Sequence, residues 1–177
     1  MDKNILFVSS SSPEEPGYCD WVSVIENNQL LFHSWASVCP NPRKPILKGG
    51  AHWRKAYAFL KPCQAKYTFR CIQHYRYGKC ILINDGGPVP TRYPNPNQKN
   101  QYFAKGVFAH KGWSRWWRGS AGCLTIPPDV WRSFMRLFEI GETGTISIID
   151  YTKLHIIDAR LCMCAKFCPI YQGVQNE

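Results

Sequence analysis

The sequence predicts a mainly β protein, a single sheet domain with one short packed helix. Three observations carry this. Aromatic residues make up 14% of the chain and prolines number thirteen, against only 19% charged residues, a balance that suits strands and loops. The apolar runs are short, rich in β-formers and bounded by Gly, Pro or Asn. Helical periodicity occurs in one place, where Val130, Phe134, Leu137 and Phe138 follow Pro127-Pro128-Asp129. At 177 residues the chain suits one domain with a sizeable core.

Taken in order, residues 5–8 read as a first strand and residues 9–17 as a polar connector. Residues 21–25 and 30–35 flank Glu26-Asn27-Asn28-Gln29, a hairpin signal because asparagine tolerates the left-handed turn. Residues 37–50, rich in Pro, Gly and Lys, read as a surface loop, and residues 52–59 fit either a short helix or a loop. Residues 67–75 and 79–84 make a second hairpin around Arg76-Tyr77-Gly78. Residues 85–100 carry four prolines and two glycines and are expected to be a long irregular loop bordering a cleft. The helix is expected to end at Gly141, and residues 145–149 and 154–157 to form a last hairpin. A tail follows, with Cys162, Cys164 and Cys168.

The chemistry concentrates in residues 106–128, GVFAHKGWSRWWRGSAGCLTIPP. Two short strands, 106–109 and 124–126, flank a loop that holds His110 and Cys123. Ser120-Ala121-Gly122 precede the cysteine and let a backbone approach a bound group closely. A thiol at the mouth of one strand and a histidine at the end of the other form a candidate nucleophile and base. The bland alternative is a buried core thiol, the commonest fate of a lone cysteine. Backbone amides around Gly122 and Cys123 are candidate oxyanion donors. Trp113, Arg115, Trp116, Trp117 and Arg118 form an aromatic and basic cluster in the loop, suited either to packing or to a cleft wall that stacks on sugar or peptide and pairs with carboxylates. His33, His52, His74 and His155 read as structural histidines, with no metal-ligand spacing among them.

This stretch resembles the signature of the L,D-transpeptidase (YkuD-like) catalytic domain, in which a strand ends in histidine and a Ser/Thr-x-Gly-Cys element opens the next strand. His110, Ser120, Gly122 and Cys123 fill those positions. Ala121 stands where many members carry a second histidine and Thr125 where many carry arginine, which bears on substrate preference. The resemblance implies an L,D-transpeptidase-like catalytic domain over residues 20–160, after an N-terminal strand and connector (1–19) and before a cysteine-containing tail (161–177). It implies cysteine-dependent acyl transfer or hydrolysis on peptidoglycan stem peptides, with Cys123 as nucleophile and His110 as base. The backbone carbonyl of Lys111 would orient the ring, with Ser120 and Gly122 shaping the turn and oxyanion site. No cofactor and no metal are expected.

Net charge is +10, spread along the chain, so an anionic partner is expected. No recognised nucleic-acid module is present, which sets nucleic acid aside in favour of an acidic cell-wall polymer. Nine cysteines leave one thiol over if the rest pair, and Cys123 is the candidate; a zinc site at Cys162, Cys164 and Cys168 lacks a second knuckle. The first residues show neither a secretory core nor a membrane span. Action in the bacterial periplasm or wall would then need delivery by a secretion system, as for an antibacterial toxin with an immunity partner. The competing class is a non-enzymatic wall- or nucleic-acid-binding module whose His and Cys are incidental.

Overall fold

The computed structural model describes residues 3–9, 18–38, 58, 60–62, 66–95, 98–114, 120 and 122–150. The expected strand at 154–157, the cysteine tail, His52 and His155 lie outside the described residues.

Strands β1 (Lys3–Ser9), β2 (Asp20–Glu26), β3 (Gln29–Ala36), β4 (Lys66–His74), β5 (Gly78–Ile83), β8 (Phe108–Lys111), β9 (Leu124–Ile126) and β10 (Thr143–Asp150) form one eight-stranded sheet in the order β3-β2-β1-β10-β4-β5-β8-β9. The two end strands meet again. Ser37, just after β3, exchanges backbone hydrogen bonds with Thr125 of β9 at 2.8 and 2.9 Å, so the sheet nearly closes on itself. The N-terminal strand β1 lies inside this sheet, parallel to β10 and antiparallel to β2. The β2–β3 hairpin turns through Asn27 and Asn28, both at positive φ (51° and 61°), the two-residue geometry whose twist suits paired strands.

Alternation sorts the side chains. Register places Ile5 with Val24 and Ile146, Phe7 with Val22 and Ile148, and Cys71 with Ile81, Ala109 and Leu124 on one buried face. Helix α1 (Pro128–Met135) covers this core. Phe134 meets Phe32 edge-on at 5.4 Å, and Phe138, just beyond the helix, meets Phe69 at 5.5 Å. The helix stops six residues before the expected Gly141. Lys79 Nζ donates to the carbonyls of Met135 and Phe138, so a cation takes the terminal acceptors that a further turn would have used.

A second difference concerns residues 85–100. A one-turn 3-10 helix (Asn84–Gly86) leads into β6 (Val89–Asn95), which pairs with β7 (Gln101–Ala104) as a separate two-stranded ribbon. Its prolines are tolerated because a ribbon leaves edges unpaired, and the Pro90 carbonyl still accepts a hydrogen bond from Lys61 N at 2.9 Å. Among the described residues, β10 pairs with β1 and β4. No helix among them is long and apolar enough to cross a membrane.

Gly144 of β10 tests this packing. A Cβ there would lie 2.4 Å from the Lys3 carbonyl oxygen and 2.5 Å from the Phe69 ring. The obstacle is partly backbone of the paired strand, so relief requires the sheet to shift. Gly144→Ala should lower stability by about 1–3 kcal/mol, the usual range for overpacking. Urea unfolding checks it; an unchanged midpoint would mean that Phe69 does not lie over β10 as described.

Candidate active site

β8 and β9 are neighbours and parallel, with Ala109 opposite Leu124, His110 opposite Thr125 and Lys111 opposite Ile126. Gly112 N extends the ladder by donating to Ile126 O at 2.9 Å. Histidine and cysteine, thirteen positions apart in sequence, thus come to adjacent strands because a short crossover returns the chain beside itself. His110 and Thr125 face away from the apolar core, on the side where register also puts Cys80 and Phe108.

The turn before Cys123 is held by one hydroxyl. Ser120 Oγ accepts from Gly122 N at 3.0 Å and donates to the Cys123 carbonyl at 2.7 Å. Gly122 is required twice over. Its φ is +148°, and a Cβ would lie 2.7 Å from Ala58 Cβ and 2.9 Å from the Ala58 carbonyl oxygen. The Gly122 amide, expected among the oxyanion donors, is engaged by Ser120, so that role would require the hydroxyl to release it.

His110 is buried, and its Nδ1 lies 2.8 Å from the carbonyl oxygen of Lys111. A carbonyl only accepts, so Nδ1 carries the ring proton and Nε2 is left with its lone pair. Tyr77 lies flat on the imidazole, centroids 4.4 Å apart and planes 5° from parallel. His74 stacks on the same tyrosine at 4.9 Å, and its Nδ1 accepts from the amides of Arg76 and Tyr77, fixing the β4–β5 turn. Tyr77 is also close enough to Cys123 for a thiolate there to push its phenol upward, after the larger effect of burial. It therefore neighbours both candidate residues.

Burial dominates the electrostatics of both residues. Burial raises the Cys123 thiol above its ordinary value, only partly opposed by a backbone hydrogen bond at Phe108. Burial lowers the His110 imidazole; the Lys111 bond opposes this, while Arg76 and His74 add to it. Cys123 is partly accessible as a residue although its sulfur is desolvated. Both shifts favour the neutral form of each group. The other buried thiols shift the same way: burial raises Cys71, and pushes Cys80 up to about 12.

Of the remaining candidates, Trp113 is 61% exposed at the end of β8. Arg115, Trp116, Trp117 and Arg118 lie outside the described residues. His33 is placed away from this site, stacked on Trp21 at 5.0 Å and hydrogen-bonded to Ser23 Oγ at 2.9 Å. No group of His, Cys, Asp or Glu among the described residues could hold a metal ion. One neighbour escaped the sequence reading, and a second, Thr125, entered it only for substrate preference. Tyr77 sits in a turn thirty-three positions before His110, with no local signal linking them. Thr125 is fully buried with an unpartnered hydroxyl beside His110, a cost of about 1–3 kcal/mol that its strand position alone does not reveal.

Two outcomes follow. Iodoacetamide labelling of Cys123 should rise with pH with a midpoint above the ordinary thiol value of about 8.5, while Cys80 stays unlabelled until the fold opens. A midpoint below neutrality would mean a preformed thiolate. Tyr77→Ala should admit water to His110 and raise its pKa toward the ordinary value of about 6.5, read by NMR titration, whereas Tyr77→Phe should leave it depressed.

No protein-family model matches the chain, and no curated protein matches it. Solved structures similar to it include an L,D-transpeptidase (Yku) from Stackebrandtia nassauensis, 13% identical with a TM-score of 0.39, covering 84% of this chain and 56% of that one. Bdellovibrio bacteriovorus Bd1075 is 18% identical with a TM-score of 0.40, covering 92% of this chain and 55% of that one. The chain thus spans little more than half the length of either structure. At these identities and scores the likeness assigns neither an activity nor a site.

Proposed function

We propose that this chain is a cysteine acyltransferase or peptidase of L,D-transpeptidase type, acting on peptidoglycan stem peptides. The observation that carries the reading is the tautomer of His110. Its Nδ1–H is held by the Lys111 carbonyl, which leaves Nε2 basic, on the strand paired with β9, which begins one residue after Cys123. The resemblance of residues 106–128 to the family signature supports the substrate class.

In this reading the neutral pair reacts without a standing thiolate. Cys123 Sγ attacks the carbonyl carbon at an L–D junction while His110 Nε2 takes the thiol proton. The carbonyl π electrons move to oxygen, and in this reading the amide of Cys123 stabilises that charge. The C–N bond then breaks, His110 returns its proton to the departing amine of the D-residue, and a thioester remains. An amine or water attacks the thioester, His110 takes the attacker's proton, and the thiol is restored. Access of the acceptor decides between transfer and hydrolysis. We place the target in the periplasm or wall and read the chain as a delivered antibacterial effector; expression with an added periplasmic leader should then be toxic, and cytoplasmic expression harmless.

Incubation with tetrapeptide- and pentapeptide-bearing muropeptides, followed by mass spectrometry, tests the chemistry. Cys123→Ala should abolish turnover with the fold intact. His110→Ala should slow it by about 10²-fold or more, the usual worth of a general base. The depressed imidazole stays basic to lower pH, so the acid limb of wild-type kcat/KM should have its midpoint below about 6.5. Turnover by the Cys123→Ala protein at the wild-type rate would end the assignment.

A further inference from the structure

A second polar site lies along the chain from the cysteine turn. Lys61, Pro90, Thr91, Arg92 and Tyr102 line a cleft of about 420 Å³ beneath the β6–β7 ribbon. Among the described residues its walls hold two cations and no carboxylate. Placement of the cations is built into the backbone. Leu60 bridges Thr91, and Lys61 N donates to Pro90 O, so Lys61 is fastened against the strand that carries Arg92.

Among the described residues neither cation is in an ion pair, whereas Glu26 and Glu142 meet Lys3 and Asp85 meets Arg70. Lys61 and Arg92 form no ion pair there, and Arg92 Nη2 has only a long contact of 3.4 Å to Ser9 Oγ. The Thr91 hydroxyl is engaged with the Tyr93 carbonyl at 2.7 Å, which leaves the two cationic heads as the unclaimed side-chain donors apart from the Tyr102 phenol. Tyr102 is 63% exposed and offers an apolar ring beside them. A planar guanidinium and a mobile ammonium over one cleft fit a carboxylate, with the ring covering the aliphatic stem that bears it.

The position relates this cleft to the candidate nucleophile. Gly122 packs directly on Ala58, and Lys61 follows Ala58 by three residues, a separation of at most about 10 Å of chain. A peptide of a few residues spans that distance. We propose that the cleft is a carboxylate-binding subsite in which Lys61 and Arg92 hold an acidic group of the acyl-donor peptide while its scissile carbonyl lies at Cys123. The peptide part of this assignment rests on the function proposed above; the carboxylate part rests on the cleft alone.

Glutarate, and glutaramide as its uncharged counterpart, separate the two parts. NMR titration of the intact chain with glutarate should give saturable shifts at the amides of Lys61, Thr91 and Arg92, and glutaramide should give none. Lys61→Gln and Arg92→Gln should each weaken glutarate binding about tenfold, the lower end of what a charge-assisted hydrogen bond contributes. Unchanged iodoacetamide labelling of Cys123 in both variants shows that the nucleophile turn is intact. A stem tetrapeptide should compete with glutarate, and its amidated form should compete less well. Absence of saturable shifts with glutarate, equal binding of glutaramide, or wild-type affinity in both variants overturns the subsite. Glutarate binding that no stem peptide displaces removes the peptide from it and leaves a carboxylate site. Failure of muropeptide turnover with the subsite intact counts against the acyl-transfer reading instead.

Discussion

Two backbone hydrogen bonds between Ser37 and Thr125 hold the ends of an eight-stranded sheet together. β9 is only three residues long and pairs with β8 on one side, so the contact with Ser37 gives its other edge a partner. An unpaired edge at that position would leave buried amides and carbonyls without partners, a substantial penalty in a strand whose three residues are all inaccessible. The closure therefore fixes the strand that begins one residue after Cys123. Everything on the outward side of β8 and β9 inherits its position from it.

Burial then sets the chemistry. The interior lowers the imidazole and raises the thiol, so burial favours the neutral form of each. Arg76, carried by the turn that delivers Tyr77, reinforces this by repelling a positive ring. Tyr77 covers one face of His110 and the Lys111 carbonyl directs its edge, which restrains the imidazole in both rotation and tautomer. A neutral, oriented base suits an acyl-transfer step in which charge appears only on the substrate oxygen. The cysteines differ in exposure: Cys71 and Cys80 are buried, whereas residue 123 is partly accessible.

The two polar regions are joined by a short run of chain. Ala58 touches Gly122, and Leu60 and Lys61 touch β6, so the cysteine turn and the cationic cleft lie near one another along the chain. The positive charge that composition spreads along the whole chain thus gains a local meaning at Lys61 and Arg92, which form no ion pair among the described residues.

Much of the fold was legible in residue order. Period-two alternation and Asn27-Asn28 specify the first hairpin, brief apolar runs specify β8 and β9, and Pro127-Pro128-Asp129 opens the helix; each is a local signal with a local cause. The pairing of His110 with the Lys111 carbonyl joins adjacent residues, and is likewise a short-range geometry. What lay beyond reach depends on distant partners. The β6–β7 ribbon forms despite its prolines because the edges they occupy need no ladder, and the helix ends early because Lys79, more than fifty residues away, reaches its carbonyls. Tyr77 and Arg76 reach His110 only once β5 lies beside β8. The effect of burial on Cys123 lay out of reach for the same reason: residue types show that a histidine can serve a thiol, but desolvation is a property of the folded surroundings. Sequence alone thus determined which residues carry the candidate chemistry, while tertiary packing decided their charge, their neighbours and the closure that holds them.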